Sequence, residues 1–118
     1  MIPLIYVAGA YRGKTRYRVD LNIHAARHVG VLMAAKGWYP VIPHANTYHF
    51  DDLIELPQEF WLEGTLELMR KCDAVIFVPG WENSDGSQGE YKEAERLGKA
   101  IYYETREVPK AQDFVGAL

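Results

Sequence analysis

Asp73-Ala-Val-Ile-Phe-Val-Pro-Gly80 is the stretch on which the fold turns. Its apolar residues run from Ala74 to Val78 without alternation, and most are β-branched or aromatic. A strand that is apolar at every position must bury both faces, which happens inside a parallel sheet covered on two sides. Pro79-Gly80 then stops it. The same pattern recurs at residues 4–8, LIYVA, closed by Gly9.

Working outward, residues 17–36 carry Val19, Ile23, Ala26, Gly30 and Met33 on one helical stripe, with Gly37 suited to the stop. WYPVIP at 38–43 reads as a second strand, near an edge because of its prolines. A long polar and aromatic loop, 44–57, follows. Pro57 opens a helix over 58–71, with Phe60, Leu62, Leu66 and Met69 apolar. A third helix is expected over 87–97, a fourth strand at 99–104 and a short helix in the tail. Strands alternating with helices imply parallel pairing through right-handed crossovers. The expectation is therefore an α/β fold, a three-layer, flavodoxin-like or Rossmann-like doubly wound parallel sheet of four to five strands, with residues 1–118 as one domain.

The composition bounds the chemistry. With 118 residues, 48% apolar and 25% charged, the chain builds one core of ordinary globular make-up. A formal net charge of −3 argues against a general nucleic-acid or anionic-membrane surface, so any bound phosphate needs a local device. Cys72 is the only cysteine, which rules out an intramolecular disulfide or a cysteine metal cage. No basic leader precedes the first apolar run, and that run is too short to span a bilayer; the chain is read as cytoplasmic.

In such a sheet, ligands sit beyond the C-terminal strand ends where strand order reverses, between the first and third strands of a flavodoxin-like order. The two loops that meet there are GAYRGKT (9–15) and GWENSDGSQGE (80–90). Residues 8–15, AGAYRGKT, fit the loose P-loop pattern, and the site between strand and helix favours a phosphate. Mg²⁺-dependent phosphoryl transfer also needs an aspartate ending a second buried strand, and AVIFV ends in Pro79-Gly80 instead. The plain alternative is a glycine-containing turn with solvated Arg12 and Lys14. In the second loop Ser87-x-x-Glu90 reads as a capping box, with Ser87 as N-cap and Glu90 at the third helical position. Its functional reading is that the helix dipole keeps Glu90 ionised, as a nucleophile or electrostatic stabiliser facing a sugar ring.

Tyr6-Val-Ala-Gly-Ala-Tyr-Arg-Gly13, Cys72-Asp-Ala-Val-Ile-Phe-Val78, the S-x-G-x-x-x-E stretch Ser84–Glu90 and Leu97-Gly-Lys-Ala-Ile-Tyr102 together resemble the nucleoside 2-deoxyribosyltransferase superfamily. They are closest to its small bacterial and phage members and similar to the 2'-deoxynucleoside 5'-phosphate N-hydrolases. The resemblance implies that Glu90 meets C1' of the sugar and that Tyr6 is its catalytic neighbour. It implies that Ser84 and Arg12 hold a 5'-phosphate, with Gly9 and Gly86 opening the loops. The family's aspartate that assists the leaving base falls on Thr65, a poor proton donor near neutral pH. Glu63 and Glu67 flank Thr65 but point to another helix face.

Tyr11, Gly13, His44, Asn46 and Trp81 complete the expected substrate-binding set, Trp81 as a stacking partner for a base. Trp38, Trp61 and Trp81 are all read as core or subunit-interface anchors, Trp81 with the added option of stacking because it alone lies in a site loop. Asp20, His24 and His28 recur every four residues, a spacing that can hold a zinc ion, but without a third strong ligand nearby they read as a solvated face. The leading expectation is cleavage or transfer at the N-glycosidic bond of a nucleoside or nucleoside 5'-monophosphate, with no cofactor and no metal, in a homo-oligomer (dimer or tetramer). A non-catalytic binder of a nucleotide or ADP-ribose-like ligand and a P-loop phosphotransferase using 8–15 are the alternatives.

Overall fold

Side chains along the first strand, β1 (Leu4–Ala8), alternate between two cores, as successive residues of any strand point to opposite faces. The computed structural model describes residues 1–118. Ile5 and Val7 join Ala26, Val29 and Met33 of α1 (Arg16–Ala35), together with Trp38, Val108 and Ala111, on one side of the sheet. Tyr6 and Ala8 join Met69 of α3 (Gln58–Arg70) and Ala94 of α4 (Asp85–Arg96) on the other. The strand β3 (Ala74–Phe77) divides in the same way, Ala74 and Ile76 against Val75 and Phe77. All four of its residues are buried, which is why its sequence shows no polar face.

The sheet has four strands, all parallel, in the order β2-β1-β3-β4, with β2 (Tyr39–Val41) and β4 (Ala100–Tyr102) at the edges. Helices cover both faces, so the expected three-layer doubly wound α/β sheet is what forms, at the lower of the two strand counts. Pro40 sits in β2 opposite Ile5, and an edge strand tolerates its missing N–H. No helix is long and apolar enough to cross a membrane.

Two segments depart from the expectation. The 44–57 loop begins with a short helix, α2 (Pro43–Asn46), and contains a 3-10 turn at Phe50–Asp52. Pro43 therefore starts a helix rather than ending the second strand, using its fixed φ at a first helical position. The third long helix also begins before Ser87. Ser84 is its N-cap, the Ser84 Oγ accepting from the Ser87 backbone N–H at 3.3 Å. The tail helix forms as α5 (Ala111–Gly116) and is tied to the end of α1, with Ala111 N–H donating to the Lys36 carbonyl at 2.8 Å. Trp38 Nε1 donates to the Pro109 carbonyl at 2.9 Å, which accounts for a wholly buried indole beside an otherwise apolar core.

Candidate functional site

Strand order reverses between β1 and β3, and a hollow of about 360 Å³ lies beyond their C-terminal ends. The loop after β1 forms one wall and the start of α4 the other, while α2 and one face of α3 close the sides. The two loops pack closely at their roots. A Cβ built on Gly9 would stand 3.0 Å from the Val78 Cβ, so the glycine lets the first loop lie against the end of β3. Gly80, at φ 93°, then turns the chain towards α4 in a conformation that suits glycine alone.

Of the residues singled out in the sequence, Gly9, Tyr11, Arg12, His44, Thr65, Ser84, Gly86 and Glu90 line this hollow. Glu90 is 6% exposed and accepts a short hydrogen bond from the Tyr6 hydroxyl. Tyr6 itself is wholly buried, so it stands behind the carboxyl and acts through it. Burial pushes the Glu90 carboxyl up to about 7, against the pull of the Tyr6 hydrogen bond and the neighbouring Thr65 hydroxyl. Burial and the adjoining carboxylate hold the Tyr6 hydroxyl well above its ordinary range, so it stays a donor. The Thr65 hydroxyl, 3.0 Å from the Leu62 carbonyl, adjoins both groups.

This corrects two expectations for Glu90. With Ser84 as N-cap and Asp85 the first helical residue, Glu90 falls sixth in the helix, not third. It is therefore no capping-box partner. Nor does the helix terminus keep it ionised, because the dipole acts within about one turn and desolvation outweighs it here. At neutral pH the carboxyl is poised between its two forms.

His44, expected in the substrate-binding set, lines the pocket but commits its Nε2 to the protein. It is 4% exposed, and its Nε2 lies 3.0 Å from both the Gly9 and Ala10 carbonyls. Two acceptors at one nitrogen place the proton there, and burial lowers the imidazole's affinity for a second proton. His44 thus works as a neutral latch between α2 and the first loop. Asn22 holds the same loop from α1, its side-chain amide donating to the Tyr11 and Arg12 carbonyls at 3.1 and 3.2 Å. The Arg12 guanidinium is exposed at the pocket and makes no salt bridge.

Gly13, Asn46 and Trp81 lie elsewhere. Gly13 packs where a Cβ would collide with the Arg18 side chain, and it lines a second hollow on the outer side of the loop. Asn46, at the end of α2, is exposed and away from the pocket wall. Trp81 turns back onto Phe77 and Tyr91, at centroid distances of 4.7 and 5.2 Å, joining an aromatic cluster instead of offering a face to a base. Asp20 pairs with neither His24 nor His28; its carboxylate meets His49 Nε2 at 2.7 Å, a partner nearly thirty residues away that helical spacing could not reveal.

The pocket also includes residues the sequence did not nominate, chiefly Asp51, Gln58, Trp61, Leu62 and Ser87. Gln58, Trp61, Leu62 and Thr65 share one face of α3 at helical spacing, and that recurrence from Thr65 was the signal available. Trp61, expected as a core or interface anchor, lines the pocket and belongs to neither core. Ser87 lines the pocket with its hydroxyl buried and unpartnered.

Residues 3–104 match a domain of unknown function, DUF7768, and the chain belongs to that family. No curated protein matches it.

Proposed function

We propose that this DUF7768 member binds a nucleoside or nucleoside 5'-monophosphate at its strand switch point and cleaves or transfers at the N-glycosidic bond. The observation that carries the reading is Glu90: a buried carboxyl, held by Tyr6, at the wall of a nucleotide-sized hollow. A carboxyl is not buried at several kcal/mol of desolvation for packing alone, and perturbed groups in clefts concentrate at functional sites. The resemblance of the Tyr6–Gly13 and Ser84–Glu90 stretches to nucleoside 2-deoxyribosyltransferases and their N-hydrolase relatives supports the same chemistry.

In this reading the ionised Glu90 carboxylate approaches C1' as the C–N bond breaks, stabilising the oxocarbenium-like centre or bonding to it as in retaining glycosidases. The bonding pair leaves with the base nitrogen. Water or an acceptor hydroxyl then takes the sugar, which separates hydrolysis from transfer. Tyr6 fixes which carboxylate oxygen faces the sugar. The unpaired Arg12 and the start of α4 at Ser84 and Gly86 suit the 5'-phosphate. His44, with its Nε2 proton shared by two carbonyls, is a positioning residue, and the leaving base takes its proton from solvent.

The test is a panel of nucleosides and 5'-monophosphates, followed by release of free base. Wild type releases base from at least one member, and Glu90→Gln, which keeps an acceptor for Tyr6, does not. Equal turnover by Glu90→Gln would remove the reading. Thr65, standing where a proton-donating aspartate would help the base leave, favours a second reading, a non-catalytic binder of a nucleotide or ADP-ribose-like ligand; tight binding without any base release would establish it. The P-loop phosphotransferase has less support, because the Thr15 Oγ1 is committed as the cap of α1, accepting from Arg18 N–H at 3.1 Å.

A further inference from the structure

The motif Arg12-Gly-Lys-Thr15 is not used up by the pocket just described. Its outer side lines a second hollow of about 260 Å³, formed with Arg16, Val19, His49, Asp51 and Asp52. Tyr11, Arg12 and Asp51 border both hollows, so the two adjoin across Arg12. Three cations and two carboxylates face the outer one, and their pairing decides its character. Asp52 is covered by Arg16 at 3.2 Å and by His49 Nδ1 at 3.1 Å. Asp51 accepts from the Tyr11 hydroxyl at 3.2 Å. Lys14 and Arg12 have no acidic partner. Asp52 is neutralised by Arg16, while Asp51 keeps its charge beside the Tyr11 hydroxyl; against it stand the unpaired Arg12 and Lys14, so the outer hollow keeps a net positive charge in a chain whose net charge is −3.

We infer that the outer hollow takes a second phosphoryl group, making the preferred ligand class a nucleoside 5'-diphosphate or a 5'-diphosphate ester rather than a monophosphate. This rests on the proposed nucleotide-binding reading and extends it. The first phosphate sits between Arg12 and the start of α4. The second passes Arg12 to the outer side, where Lys14 meets it as a mobile point charge. Arg12, bordering both hollows, contacts both phosphates. Thr15 is spent on capping α1, so the ligands are the two side chains and not a phosphate cradle of backbone groups. Gly13 keeps this arrangement compact, since a side chain there would push the loop off Arg18.

The experiment is titration calorimetry on the full chain in magnesium-free buffer. The probes are the 5'-mono- and diphosphates of adenosine, guanosine, cytidine and thymidine, with ADP-ribose as a diphosphate ester. For the base that binds, the diphosphate or its ester should bind about 10-fold or more tightly than the monophosphate, the scale of one charge-assisted contact. Preference for ADP-ribose over the free diphosphate identifies the ester as the natural form, and the reverse identifies the free diphosphate. Lys14→Ala should abolish the difference between mono- and diphosphate while leaving monophosphate affinity unchanged. Arg12→Ala should weaken both. Diphosphates binding no better than monophosphates, or Lys14→Ala weakening both alike, would overturn the inference and leave the pocket reading standing. Failure of every probe to bind would overturn the inference and the 5'-phosphate part of the pocket reading, leaving its nucleoside form to the base-release panel.

Discussion

In the proposed reading, Glu90 and Thr65 set the chemistry at the residue scale. The Thr65 hydroxyl adjoins Glu90 and Tyr6, so Thr65→Asp brings a second carboxyl against a carboxyl that burial has already pushed up to about 7. Two carboxylates in contact cannot both ionise freely, so one proton stays on the pair. That proton is placed to go to the departing base, and general acid assistance is worth about 10²–10⁴-fold. The expected outcome is a rise of about 10²-fold in single-turnover base release by Thr65→Asp over wild type. A slower variant would mean that the departing base already has an adequate proton source. In wild type, the rate should climb with pH through about 7 as Glu90 ionises, then level off. A flat profile between pH 5.5 and 8.5 (~1.5 units either side of the group, where a titration is essentially complete) would show that this carboxyl is not the reacting group.

At the element scale, α4 carries two duties at its first turn. Ser84 caps it through the Ser87 N–H, and the same residue borders the pocket. Ser84→Ala should cost about 1 kcal/mol of stability from the lost cap, read as a lower denaturation midpoint. Ser84→Gly should cost only a few tenths, because glycine is itself a fair N-cap. If both variants lose nucleotide affinity equally while differing in stability, the hydroxyl serves the ligand separately from the helix. Equal stability in the two would mean that the 3.3 Å cap contributes little. The loop after β1 is fastened differently, by His44 from α2 and Asn22 from α1, both to its carbonyls. That leaves the Arg12 side chain available to the hollows on either side, while the Tyr11 hydroxyl is tied to Asp51 and the His49 N–H.

For the whole molecule, Glu90 opposes folding at neutral pH. Its ordinary value is 4.5 and its folded value is about 7, so between these the folded chain keeps a proton that the unfolded chain has released. Stability from this group is therefore full below about 4.5, falls as pH rises to about 7 and is flat above. Glu90→Gln removes the effect. The stability difference between Glu90→Gln and wild type should grow on going from acid to mildly alkaline pH, by on the order of 3 kcal/mol, measured by denaturant midpoints. A constant difference would mean that Glu90 titrates near its ordinary value. This is the expected cost of holding a carboxyl in a dry site.

What the sequence determined by itself was whatever depends on near neighbours. The runs LIYVA and AVIFV are apolar at every position, and only a sheet covered on both faces satisfies them; that and the regular strand–helix alternation made the doubly wound fold legible. The same topology nominated the two loops before any side chain was placed. Tertiary structure decided everything that depends on which distant groups meet. Where α4 starts was decided between two serines, each a competent cap: the local Ser87-x-x-Glu90 pattern pointed to Ser87, and the fold uses Ser84. Trp81 left the site because Phe77 and Tyr91 offer it a better-buried face than solvent does. Asp20 found His49 across the fold. The protonation of Glu90 was hidden for the same reason: spacing reports a helix terminus, but desolvation is set by everything packed around the carboxyl, from Tyr6 on β1 to Thr65 on α3.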